Sequence, residues 1–188
     1  MALLHCRVIG YLSPYMSDLE EPINQSKRHI GAGWPHLTIP VQDRKTFFSS
    51  IVRHLATELP PDLRDFRHRG DFNLMKIWYA NYRIHFEVVI DQQINKIELA
   101  LHFEDGPASS LAFLSLLDAR ILEIKDLLGP EIELERWTQS WARIYQLLPL
   151  GPLDGRVCDD CAARLTAMIA LLQPIVTGAG IRLERPGA

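Results

Sequence analysis

The sequence predicts an α+β fold, an antiparallel sheet of about four to six strands packed on one face by two long helices. Three observations carry this. Residues 82–90 alternate, with Tyr82, Ile84, Phe86, Val88 and Ile90 apolar and Arg83, His85 and Glu87 between them. Residues 96–104 alternate in the same way, with Ile97, Leu99, Leu101 and Phe103 on one face and Lys96, Glu98, His102 and Glu104 on the other. Period two with one apolar face means a half-buried antiparallel pair. Residues 107–128 and 154–173 instead repeat apolar side chains at three- and four-residue spacing, the signature of amphipathic helices.

Taken in order, residues 3–12 read as a short strand and 13–35 as a loop broken by Pro14, Pro22, Gly31, Gly33 and Pro35. His36 to Val41 reads as another short strand. A helix begins near Asp43, a good capping residue, and Pro60-Pro61 stops it. Its stripe is Phe47, Phe48, Ile51, Val52, Leu55 and Leu59. A charged loop follows over 62–71. The hairpin strands are joined by Gln92-Gln93-Ile94-Asn95. Chemistry suggests their register. With Asp91 facing Lys96, Glu87 faces Ala100, His85 faces His102, and Arg83 faces Glu104, so two opposite-charge pairs oppose.

Gly106-Pro107 opens the long helix and Gly129-Pro130 closes it. Strands are expected at Glu131–Thr138 and Ala142–Leu148. A last helix runs from Asp154 to about Gln173 on the face Val157, Cys161, Leu165, Met168 and Leu172. The whole chain reads as a single domain: N-terminal strands and loop over 1–42, a core over 43–176, and a frayed tail over 177–188.

The chain has 188 residues, 47% hydrophobic and 23% charged, enough to bury a core without disulfide or metal staples. Net charge is −3. Residues 1–83 carry 11 basic against 8 acidic residues and residues 84–188 carry 9 against 15, which leaves room for a local basic patch in the first half only. No run is read as a membrane span and no signal peptide is read at the start. With three cysteines, the expectation is a cytoplasmic protein with reduced thiols.

Three constellations could carry chemistry. On the hairpin's polar face His85 and His102 oppose each other, with Glu87 two residues away. Two imidazoles and a carboxylate are a common ligand set for a divalent metal. The competing reading is an ordinary polar sheet face with hydrogen-bonded histidines. Cys158-Asp159-Asp160-Cys161 has the CxxC spacing, but no second CxxC exists and acidic neighbours raise thiol pKa values, so packing cysteines are expected. Basic clusters at Lys27-Arg28-His29, beside Trp34 and His36, and at Arg64, Arg67, His68 and Arg69 are candidates for holding phosphates. No phosphate-binding loop, dinucleotide fingerprint, nucleophile elbow or His-Glu-x-x-His motif is present.

Residues 45–174 resemble an uncharacterised bacterial domain often found at the C-terminal end of predicted restriction-type nuclease proteins. The matching features are Lys45-Thr46-Phe47-Phe48, the hairpin, Leu127-Leu128-Gly129, Glu133-Leu134-Glu135-Arg136-Trp137, Arg143-Ile144-Tyr145 and the final helix. The resemblance implies a role beside nucleic-acid or defence machinery and no reaction. The resulting expectation is a non-catalytic binding or accessory module without a cofactor, its partner nucleic acid or a protein of the same system. A small metal-dependent hydrolase using His85, His102 and Glu87 competes with it. A structural homodimer, with Trp137 and Trp141 near a sheet edge, is a third reading.

Overall fold

The computed structural model describes residues 41–184. The strand expected at 3–12, the loop at 13–35 and the basic residues Lys27 and Arg28 lie outside the described residues, as does all but the last residue of the strand expected at 36–41.

Six antiparallel strands form one sheet, in the order β1-β2-β3-β4-β6-β5. They are β1 (Arg67–Gly70), β2 (Leu74–Trp78), β3 (Ile84–Asp91), β4 (Lys96–Phe103), β5 (Glu133–Arg136) and β6 (Ala142–Pro149). Among the described residues four α-helices accompany them: α1 (Val41–Glu58), α2 (Pro107–Asp118), α3 (Ile121–Leu128) and α4 (Gly155–Gly178). The α+β class is as expected. The sheet's apolar face, centred on Phe86, Val88, Leu99, Leu101 and Ile144, merges with buried side chains of the helices into one core.

The hairpin register is the expected one, from Asp91 opposite Lys96 through His85 opposite His102. Beyond it, the Glu104 amide donates to the Arg83 carbonyl. Asp91 fixes the turn, because its Oδ1 accepts from the Gln93 and Ile94 amides at 2.9 and 3.2 Å. Asn95 takes the left-handed position with φ 56°.

The helix expected over 107–128 is in fact two. The Arg120 amide donates to Leu117 three residues back, and a fresh α turn starts where Ile124 donates to Arg120. The reason is packing. Phe113 of α2 stacks on Phe103 of the sheet at 4.5 Å, while α3 buries Ile124 and packs on α4. One straight axis does not serve both. Strand β1 replaces the second half of the loop expected over 62–71, and β2 follows it in a stretch to which no element was assigned.

The helix α4 runs past Gln173 and through Pro174 to Gly178. Its length and mean hydropathy of 1.4 over 18 residues would suffice to cross a membrane. Its stripe Cys161, Leu165, Met168 and Leu172 is instead buried in the core, as expected of a core helix. The tail beyond it returns to α2, where the Glu184 carboxylate accepts from the Ala108 and Ser109 amides and caps that helix. Gly106, at φ 133°, takes a backbone conformation that L side chains rarely adopt, so any other residue there would be strained.

Candidate functional site

Strand order and register write two rows of side chains across the sheet's polar face. One row reads Arg67, Trp78, His85, His102, Arg143, Glu135. The next reads Arg69, Lys76, Glu87, Ala100, Tyr145, Glu133. Directly opposed residues share a face, so these twelve positions point the same way.

A chain of rings shields the centre. Trp78 meets Tyr82 edge-on at 4.9 Å, Tyr82 stacks on His85 at 5.8 Å, and His85 lies parallel to His102 at 5.5 Å. His102 meets Trp137 edge-on at 5.0 Å, and Trp137 lies 5.8 Å from Trp141. Within this shield His85 is 0% exposed, His102 1% and Glu87 7%.

Glu87 is the hub. Its Oε1 lies 2.8 Å from His85 Nε2 and 2.9 Å from Lys76 Nζ, and its Oε2 lies 3.4 Å from His102 Nε2. Burial pushes the Glu87 carboxyl up. The His85 hydrogen bond and the His102, His85 and Lys76 charges outweigh it and hold the group down to about 2. Burial likewise lowers Lys76, but Glu87 and Glu104 beside it win, and its pKa is raised. Arg143 bridges the far side, 2.9 Å from Glu98 and 2.7 Å from Glu135. Its guanidinium also lies over the rings of Tyr145 and Trp137.

The two histidines are bonded differently. His85 Nδ1 donates to the Tyr82 carbonyl at 2.8 Å, and Nε2 faces the Glu87 carboxylate. The Tyr82 carbonyl only accepts, so Nδ1 carries the hydrogen, and Nε2 is the nitrogen aimed at Glu87. His102 sits among Glu87, Glu98 and Glu104 at 3.4, 3.5 and 3.8 Å. Neither of its buried nitrogens makes a hydrogen bond with a described residue.

Four carboxylates (Glu87, Glu98, Glu104 and Glu135) are thus paired with two permanent cations, Lys76 and Arg143. Arg83 opposes Glu104 at the end of the hairpin with its Nε buried, and Arg67 and Arg69 stand at the ends of the two rows on the same face, so further cations lie beside this cluster. Ligand atoms of His85, Glu87 and Glu104 lie within 4.8 Å of one another. The structure therefore gathers His85, His102 and Glu87 in one cluster. Glu104 completes the closest ligand group, and His102 stacks on its flank.

The other candidates behave as follows. Arg64 donates to the Thr57 and Leu59 carbonyls, both at 2.7 Å, and so closes the end of α1. Arg67 and Arg69 are exposed on the edge strand β1. Cys158 and Cys161 are buried. Burial, then Asp160, pushes the Cys161 thiol up to about 12; burial and Asp159 raise Cys158. Neither thiol is poised as a nucleophile.

Sequence reasoning missed the roles of Lys76 and Arg143. Both are single charged residues on strands whose place beside the hairpin is set by topology. Sequence reasoning also read Glu104 only as the residue facing Arg83; its place two residues after His102 in the same alternation is the signal that could have put it in the cluster. Comparison with protein-family models, curated proteins and solved structures finds no match.

Proposed function

We propose that this chain is a non-catalytic binding module whose polar sheet face exchanges protons for a divalent transition-metal ion. The supporting observation is the convergence of ligand atoms of His85, Glu87 and Glu104 within 4.8 Å of one another, with His85 and Glu87 buried and His102 beside them. A mixed imidazole and carboxylate set suits zinc, manganese, iron, nickel or copper. Hydrolysis is the weaker reading. A catalytic metal keeps an open position for water and substrate, whereas structural sites are closed. Here His85 is fully buried and Glu87 nearly so. Nucleic acid as a direct partner has less support, since Arg64 is spent on α1 and only Arg67 and Arg69 remain exposed among the described candidates.

The test is calorimetric titration of chelator-treated protein with zinc, nickel and manganese salts in two buffers of different ionisation enthalpy. Binding of one ion with release of protons is expected, because the ion replaces imidazole protons. Glu87→Gln and His85→Ala should each weaken it by about 100-fold. Titration of the wild type without heat or proton release would reduce the cluster to a self-neutralised salt-bridge network and end the proposal.

A further inference from the structure

A second site lies away from the polar face, between α1 and the β1–β2 turn. It is a groove of about 570 Å³, within the usual range for small-molecule sites. Phe48, Val52 and Met75 supply its apolar lining, and Phe72 its outer wall. Lys45 and His68 also line it, with Asp71 the one carboxylate among the described lining residues. Gly70 leaves it open, since a Cβ there would meet nothing within 4 Å.

An independent observation lies behind the Phe72 wall. Arg44, in the first turn of α1, is only 3% exposed. Its Nη2 donates to Gln92 at 2.6 Å, but Nε and Nη1 have no hydrogen-bond partner among the described residues. A buried guanidinium with two unbonded nitrogens is costly, and an anion is the partner that relieves it. Its guanidinium lies 4.2 Å from the centre of the Phe72 ring. That ring is 58% exposed, so turning it aside uncovers no core.

We propose that this groove binds a small amphipathic organic acid, its aliphatic or aromatic body on Phe48, Val52 and Met75 and its carboxylate at Arg44 and Lys45. Charge selects the ligand: the head meets two cations, and a cationic or neutral head leaves Arg44 unrelieved. This site is separate from the sheet-face cluster and does not depend on it.

The probe is 8-anilinonaphthalene-1-sulfonate, an aromatic anion of the same class, titrated by fluorescence and then displaced with decanoate, decan-1-ol or decylamine. Displacement by decanoate at about tenfold lower concentration than by the alcohol or amine is expected. Arg44→Met, which keeps the stem and removes the charge, should erase that preference while leaving some apolar binding. Val52→Trp, which fills the groove from the surface of α1, should abolish saturable binding, and it guards against an Arg44 variant that fails to fold. No saturable probe binding, or equal displacement by all three decyl compounds, would overturn the proposal.

Discussion

Glu87 shows what a single side chain does in this cluster. Its carboxyl is held near 2 instead of 4.5, so the folded protein favours the ionised form. A depressed folded-state pKa contributes stability that is present above the unfolded value and lost as pH falls. The window is therefore pH 4.5 down to 2, and the contribution is about 3 kcal/mol. Urea melts at pH 6, 4 and 2.5 should show a loss of that order for the wild type. Glu87→Gln should flatten the slope in the window, and an unchanged slope would contradict the account. Lys76 gives a sharper residue-level test. Its ammonium lies 2.9 Å from Glu87 and 3.7 Å from Glu104, where a metal would need those oxygens. Lys76→Met removes a competing cation and should tighten metal binding by roughly tenfold, although it breaks an ion pair. A purely structural network predicts only lower stability and no gain in metal affinity.

Elements differ in how openly they announce themselves. The last helix begins where Asp154 accepts from the Val157 amide at 3.0 Å, a side-chain cap visible as Asp before the apolar stripe. Asp154→Ala should cost about 1 kcal/mol, read as a lower urea midpoint with an unchanged slope. The β3–β4 hairpin was legible to the residue, because alternation selects the buried face and the four-residue turn selects the register. The strand β1 was not legible. Its sequence Arg-His-Arg-Gly is exposed throughout and reads as a loop, and only pairing with β2 makes it a strand. The break between α2 and α3 was equally hidden. Apolar spacing continues through Leu117 and Ile121, and the change of axis answers to different packing partners.

At the scale of the whole molecule, strand order decides which charges meet. The hairpin alone supplies His85, Glu87, Glu98 and His102. Placing β2 on one side brings Lys76 to Glu87, and placing β6 on the other brings Arg143 to Glu98. The ring chain across Tyr82, His85, His102 and Trp137 then keeps water from the centre. Without that shielding the same ion pairs would be worth little. With it, an unmatched charge is expensive, which is why Lys76 and Arg143 each reach two carboxylates of the cluster.

The sequence by itself determined the α+β class, the central hairpin with its register, and the convergence of His85, His102 and Glu87 on one face. Those are consequences of short-range periodicity and turn chemistry, which act over a few residues. The tertiary structure alone decided that the face is closed, that Lys76 and Arg143 flank it, and that Arg44 is buried beside an open groove. These depend on contacts between segments tens of residues apart, whose pairing is set by how the whole core packs and not by any local pattern.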